Sequence, residues 1–380
     1  MKNILKRYNQ LHLLDYLDKI NLENIDFKLM NKLYINSYED EVLDINKISH
    51  LNVVKNVGNN YKKIGEDLIL KNFYGIVIMA GGNATRLGLN KPKGMLEINC
   101  YGNNISLFQI YINKLLDIYS RYNVYINIYI MTNIENNKDI INYFELNNYF
   151  EYPKDKIKFF MQESLPLLSV DGKVLLKNNS QVFMVPNGNG FVFKSLKNSE
   201  LIKDMKKNNI KYCLFTGIDN PLVNLVDFNF LGVTIFNNYK LASKTLYKTD
   251  GEDNSWVFCK YKNKPYMLDH NHLKYFKNIK DNDEEYLYRE TNVMYHLIHI
   301  DYISKFSNIN LKYHRAYKKY GVYIDGEYNN INCFKFEQFI YDAFYYAKDM
   351  LLYRISKDEF YPIKKKEDIV EVEKILNHNN

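Results

Sequence analysis

The stretch MAGGNATRLGLNKPKG, residues 79 to 94, follows directly on the apolar run YGIVI. Adjacent glycines at the end of a buried strand, followed by cations, make a place where phosphate is held. Gly81 and Gly82 let backbone N–H groups approach an anion with no Cβ in the way. Arg86 offers a planar fork for phosphate oxygens, and Lys93 a mobile point charge. Pro92 stiffens the approach to Lys93. The spacing is neither the P-loop GxxxxGK[ST] nor the dinucleotide pattern GxGxxG, which argues against a nicotinamide dehydrogenase. The duller reading is a tight turn with solvated cations, and the length of the pattern weighs against it.

Such a loop needs a sheet to present it. YGIVIMA (74–80), YINIYIMTN (125–133), KIKFFMQ (156–162) and IKYCLFTGIDN (210–220) are short, apolar and β-rich. Helical patterns separate several of them. Phe108, Ile112, Leu115 and Tyr119 share one helix face. A second helix is expected after Asn133 as N-cap, through Ile140, Tyr143 and Phe144. Alternating strand and helix predicts an α/β fold with a mostly parallel sheet, and ligands bind beyond the carboxyl ends of such strands. The glycine loop, Gln162 and Asp219 all fall at or just past such ends. Leu5, Leu11, Leu14, Leu17 and Ile20 form an amphipathic stripe, so residues 1–65 read as a helical segment packed on the main domain. LASKTLY (241–247) and SWVFCKY (255–261) read as strands, and VMYHLIHI (293–300) fits strand or helix. Within 334–353, Phe336, Phe339, Ile340, Ala343 and Tyr346 recur at helical spacing. No repeat or flexible linker interrupts the chain.

The 380 residues are 46% hydrophobic and 25% charged, as in an ordinary folded protein. Tyr is abundant at 35, with many Asn and Lys, which is the composition an AT-rich genome gives. Tyr/Lys interleaving is therefore not read as a nucleic-acid surface. The net charge of +7 suits a protein that handles anions, without a basic arm. Cys100, Cys213, Cys259 and Cys333 form no CxxC pair, so neither a zinc site nor a disulfide framework is expected, and a reducing, cytoplasmic setting is. The N-terminus is broken by charges every few residues, unlike a signal peptide, and no run approaches the roughly 20 apolar residues of a membrane span.

AGGNATRLG followed by PKGM resembles the signature of the UDP-sugar pyrophosphorylases, and its form is closest to the eukaryotic UDP-N-acetylglucosamine pyrophosphorylases. Further blocks resemble the family in the same order: LFQI (107–110), YIMTN (129–133), FFMQESLPLLSVDGKVLL (159–176), VPNGNG (185–190), IDN (218–220), KFEQFIYDAF (335–344) and KDEFYPIKK (357–365). The N-terminal LLDYLDKINLENIDF (13–27) resembles its leading helices. The resemblance implies a Rossmann-like, GT-A-like nucleotidyltransferase domain over 66–345, with the helical segment 1–65 before it and a short segment 346–380 after it. The family's small C-terminal lobe is expected to be absent. It also implies attack by a sugar 1-phosphate on the α-phosphorus of UTP, with pyrophosphate leaving. Charge then accumulates on phosphoryl oxygens, and positioning and cations do most of the catalysis. Gly81 and Gly82 would hold the nucleotide. Thr85 and Arg86 would grip pyrophosphate, and Lys93 and Lys364 the phosphates. Asp219 would bind Mg²⁺, or Mn²⁺ in its place, as a hard cation wants carboxylate and phosphate oxygens; its alternative role is a cap after a strand. Gln162 would read the uracil edge. Gly188 would meet base or ribose and Asn189 a sugar hydroxyl. Asn220, of the same motif as Asp219, and the weaker matches Asp269, Asn292 and Lys335 complete the expected substrate contacts.

The chain departs from the pattern at several positions. Ala84 stands for the third loop glycine, tolerable at negative φ and costly at positive φ. Phe191 replaces a glycine after GNG, and Trp256 a glycine near the sugar. YRETN (288–292) replaces Phe-Asn-Ala-Gly-Asn, and Asp269 a glutamate. The phosphate end is kept and the sugar end altered. The resemblance implies UTP and N-acetylglucosamine 1-phosphate as substrates of a monomer or weak homodimer, with no nucleic-acid or membrane partner. A uridylyltransferase for glucose or galactose 1-phosphate, and a non-catalytic UDP-sugar binder, are the competing readings.

Overall fold

The computed structural model describes residues 1–36, 43–55, 57–84, 87–89, 91–248, 256–276, 278–282 and 284–378. Two compact units share the chain. The first gathers Met1–Val42, Gln162–Phe191 and Asn310–Asp342; the second gathers Leu43–Met161, Val192–Ile309 and Ala343–Asn380.

The second unit is organised by an 11-stranded sheet among the described residues. Its main path uses β1 (Val53–Val54), β2 (Tyr74–Met79), β3 (Asn127–Thr132), β4 (Ile157–Met161), β5 (Tyr212–Gly217), β6 (Leu241–Tyr247), β7 (Glu290–His299) and β8 (Leu351–Ile355). The order is β1-β8-β6-β7-β5-β2-β3-β4. β5, β2, β3 and β4 run parallel, as do β1, β8 and β6, while β7 lies antiparallel between β5 and β6. All six residues of β2 and of β3 are buried, which explains why YGIVIM and NIYIMT read as unbroken apolar runs rather than alternating ones. Helices cover the sheet: α1 (Lys62–Leu70), α2 (Leu107–Tyr122), α3 (Asn137–Leu146), α4 (Phe228–Phe236) and α5 (Lys366–His378). Phe108, Tyr111, Ile112 and Leu115 of α2 join Ile140 and Phe144 of α3 and the strands in one core. Removing a ring such as that of Phe108 from this core costs about 3–5 kcal/mol.

The second helix begins one turn later than expected. Asn136 is its N-cap, and the Asn133 side chain instead accepts from the N–H groups of Glu135 and Asn136 in a local Asx turn. The strands expected at 74–80, 125–133, 156–162 and 210–220 are all present, and 293–299 belong to β7, with Ile300 opening the helix that follows. SWVFCKY contains the strand Val257–Tyr261, with Ser255 outside the described residues.

The first unit holds a five-stranded antiparallel sheet around a long hairpin, His314–Ile324 with Glu327–Glu337. Asp325 and Gly326, at φ +50° and +92°, make its two-residue turn. Much of the leucine stripe packs here: Leu5 and Ile20 bury against Leu168, Val174, Phe334 and Phe336, Leu14 and Leu17 pack partly buried beside them, and Leu11 stays exposed. Residues 1–65 are not uniformly helical, since Ile48–Ser49 and Val53–Val54 are strands of the second unit. The helix expected across 334–353 is likewise replaced by strand to Glu337, a 3₁₀ turn at Ile340–Tyr346 and strand β8. Burial there alternates (Phe334, Phe336, Gln338, Ile340), and the hairpin partner satisfies the backbone that a helix would have satisfied internally.

Candidate active site

The chain runs from β2 to β3 and β4 on one side, then returns to place β5 on the other side of β2. Gly217 pairs with Met79 in the β5–β2 register, so the loops after both strands leave the sheet side by side at its switch point. The first of these is the glycine loop. It folds back as a narrow ribbon, with the Lys93 N–H donating to the Gly82 carbonyl at 3.1 Å and the Ala84 N–H to Lys91 at 3.0 Å. Asn133 Nδ2 donates to the Gly81 carbonyl at 2.5 Å, and Asn136 Nδ2 to Ala80 at 3.3 Å. The carbonyls are thus spent within the protein, whereas the N–H groups of Gly81 and Gly82 meet no acceptor among the described residues. A Cβ on Gly82 would find no atom within 4 Å, so neither packing nor φ demands this glycine. Ala84 is buried without positive φ, so it takes the glycine's place without strain. Thr85 and Arg86 lie outside the described residues.

The second loop carries Asp219, whose Oδ2 lies 3.5 Å from Lys93 Nζ; their side chains are 35% and 17% exposed. This pair is the only juxtaposition of sequence-expected charged side chains that the described residues of this rim record. The loop is held from beneath by two residues of α2 that motif reading missed. Tyr111 Oη donates to the Gly217 carbonyl at 2.8 Å and to that of Asn220 at 2.9 Å. Lys114 Nζ donates to Pro221 at 2.6 Å and Val223 at 2.7 Å. Burial pushes the Lys114 ammonium down to about 8. Their i, i+3 spacing on one helix face was the available signal.

A third segment joins this rim. The Ile363 N–H donates to the Asp219 carbonyl at 2.8 Å. Asn220 is 6% exposed and its amide is fully engaged: Nδ2 donates to the Glu359 carbonyl at 2.9 Å, and Oδ1 accepts from Tyr361 at 3.1 Å. Asn220 therefore splices the irregular segment 359–363 to the end of β5. Lys364 follows at once and is exposed. Asp368 accepts from the N–H groups of Lys364 and Lys365 at 2.7 and 2.8 Å, fixing the entry to α5.

Farther along the same sheet, Asn292 lies near the start of β7, paired with Thr245 of β6, and its Oδ1 accepts from the Met294 N–H at 2.7 Å. Asp269 caps the short helix His270–Leu273, accepting from the His272 N–H at 3.0 Å and contacting His272 Nδ1 at 2.7 Å. Trp256 is half-buried, its carbonyl accepting from Asn292 at 3.3 Å. In YRETN, Glu290 is buried and binds Arg354 at 2.6 Å and Thr245 Oγ1 at 2.6 Å; Arg354 also holds Glu285 at 2.9 Å, which Lys55 reaches at 2.5 Å. These partners hold the Glu285 carboxyl down at about 2.

The first unit carries the remaining expected residues. Gln162 is buried. Gly188 has φ +91°, and a Cβ there would stand 2.3 Å from the Gln338 carbonyl oxygen, so only glycine fits. Asn189 Oδ1 accepts from the Ile340 N–H at 3.0 Å, and Gln338 closes the loop by donating to Asn187 at 2.8 Å. Phe191, which replaces a glycine, is buried. Lys335 Nζ sits 2.8 Å from Glu337 Oε1.

A profile of the family described as UTP--glucose-1-phosphate uridylyltransferase matches residues 25–380. The chain is 30% identical over 365 residues to UDP-N-acetylglucosamine pyrophosphorylase of Saccharomyces cerevisiae, covering 90% of this chain and 76% of that protein. It is 30% identical over 371 residues to UDP-N-acetylglucosamine diphosphorylase 2 of Arabidopsis thaliana, covering 90% and 73%. The solved uridine diphosphate N-acetylglucosamine pyrophosphorylase of Trypanosoma brucei, determined in complex with an inhibitor, shares the fold with a TM-score of 0.82 at 24% identity, over 97% of this chain and 83% of that one. With its glycine loop and Asp219 loop at one switch point and a match that spans nearly its whole length, the chain belongs to the UTP--glucose-1-phosphate uridylyltransferase family.

Proposed function

We propose that the chain is an enzyme that transfers the uridylyl group of UTP to N-acetylglucosamine 1-phosphate, forming UDP-N-acetylglucosamine and releasing pyrophosphate. The observation that carries this reading is the Lys93–Asp219 pair beside Gly81 and Gly82, whose N–H groups meet no acceptor among the described residues, in a chain whose 30%-identical relatives bear that activity in their names. A phosphoryl transfer needs donors aimed where charge develops. Gly81 and Gly82 would bind phosphate oxygens through N–H groups, Thr85 and Arg86 would take the departing pyrophosphate, and Lys93 and Lys364 would steady the α-phosphorus. The rim suits a shared cation rather than a caged one: Asp219 is a lone, partly exposed carboxylate, and the described residues contain no group of three metal-binding side chains. Asp219 would thus hold Mg²⁺, or Mn²⁺, which when bound neutralises phosphate charge. By the same resemblance, Gln162, Gly188 and Asn189 would serve base, ribose and sugar. Asp269, Asn292 and Lys335 would serve the sugar side, and Asn220 would act by holding the loop that carries Asp219.

The proposed setting is the cytoplasm, with a monomer or weak homodimer as the working form. All four cysteines are free and three are buried, and no described helix is long and apolar enough to cross a membrane. The test is pyrophosphate release from UTP and Mg²⁺ with a panel of sugar 1-phosphates. N-acetylglucosamine 1-phosphate should turn over fastest. Equal or faster turnover of glucose 1-phosphate would replace the sugar assignment, and binding of UDP-sugar with no release would identify a non-catalytic binder.

A further inference from the structure

Lys244 on β6 was not expected to matter. It is 1% exposed, yet its ammonium lies 2.7 Å from Asp227 and 2.6 Å from Glu359, with the Tyr295 ring 4.9 Å away. A buried cation is retained only with partners, and each of these partners is tied to something else. Asp227 caps α4 through the N–H groups of Asn229 and Phe230. Glu359 begins the segment that Asn220 and the Asp219 carbonyl bind, and that segment ends at Lys364.

We propose that Lys244 and Glu359 are positioning residues for uridylyl transfer. Their ion pair anchors the start of the 359–363 segment, the bond from Ile363 to Asp219 anchors its end, and together they fix where Lys364 stands relative to Asp219. Glu359 is the sensitive member: its side chain faces Lys244 while its backbone faces Asn220, so a shift at the carboxylate is passed directly to the splice. Displacing a transition-state cation by about 1 Å can cost on the order of 100-fold in rate. This inference rests on the reading that the chain is a uridylyltransferase, with Lys364 acting on phosphate.

The test is a double-mutant cycle on the full chain: wild type, Glu359→Gln, Lys364→Ala and the double variant. Each is assayed for pyrophosphate release with UTP, Mg²⁺ and N-acetylglucosamine 1-phosphate, and each is melted. Glu359→Gln keeps shape and hydrogen bonding but removes the charge. It should lower kcat/KM at least about 10-fold in the wild-type background and less than about 2-fold in the Lys364→Ala background, because residues acting through one group are not additive. The drop in melting temperature should be the same in both backgrounds, which separates positioning from stability. Lys244→Met should behave like Glu359→Gln; if it fails to fold, the glutamine variant still carries the test. Equal losses in both backgrounds, or full turnover by Glu359→Gln, would overturn the positioning role alone. A wild type inactive with every sugar phosphate would overturn the functional reading, and the positioning role with it.

Discussion

The two ends of the second unit's rim solve opposite problems. Around the glycine loop and Asp219, protein groups consume the carbonyls, the Gly81 and Gly82 N–H groups meet no acceptor among the described residues, and the Lys93–Asp219 pair stays partly exposed. Around β7, the charges consume one another: Glu290, Arg354, Glu285 and Lys55 form a closed chain, and Asp269 spends its carboxylate on its own helix and His272. The first arrangement is poised for an anion that it does not supply. The second is complete as it stands, and it is the end at which the motif reading expected the departures.

The contrast can be broken at its strongest point by Arg354→Met. This leaves Glu290, whose side chain is 4% exposed, without its cation, and should cost about 3 kcal/mol of unfolding free energy, measured in urea, with little effect on phosphate chemistry. A loss below about 1 kcal/mol would show that the network is not self-contained. Lys93→Ala should do the reverse, lowering kcat by about 100-fold while barely changing the denaturation midpoint. Arg86→Ala should lower turnover on the same scale, and unchanged turnover would remove either residue from the mechanism. Tyr111→Phe sits between the two regimes. The Gly217 and Asn220 carbonyls lose the Tyr111 hydroxyl, so stability should fall by about 1–3 kcal/mol, and turnover should fall with it because the Asp219 loop is freed. Turnover unchanged at lowered stability would separate Tyr111 from the site.

The smallest effect is in the pH profile. The Glu285 carboxyl is held at about 2 rather than its ordinary 4.5, chiefly by Arg354 and then by Lys55. Its folded-state pKa is depressed, so its stabilisation is fully present above 4.5 and is lost as pH falls toward 2. Glu285→Gln should lower stability at neutral pH, flatten the acid limb over that window, and bring variant and wild type together as pH falls toward 2. An acid limb of wild-type steepness would remove Glu285 as its source.

Much of this contrast was legible in the sequence. The central parallel strands announced themselves because burial on both faces of β2, β3 and most of β5 leaves few polar interruptions, and the glycine loop and Asp219 were placed at the correct ends. The hairpin 314–337 was not anticipated, because long-range antiparallel pairing decides its state and its Phe residues fit helical spacing equally well. Asn220 was expected to face substrate, yet its amide is spent on a segment some 140 positions away. No local pattern reports such a bond. Lys244 was invisible for the same reason, since nothing in LASKTLY says that its lysine is buried. The first unit, assembled from three separated stretches, leaves no compositional boundary to read.

The splice at Asn220 also bears on how the protein comes into being. Its partners at Glu359 and Tyr361 are synthesised 139 and 141 residues later. A ribosome paused anywhere between would expose a chain able to pair β2, β3 and β4 in order of emergence, but with a buried amide still waiting for its acceptor and donor. The loop that bears Asp219 gains its last tethers only when the far end of the polypeptide arrives, so half-made chains would not carry a finished rim.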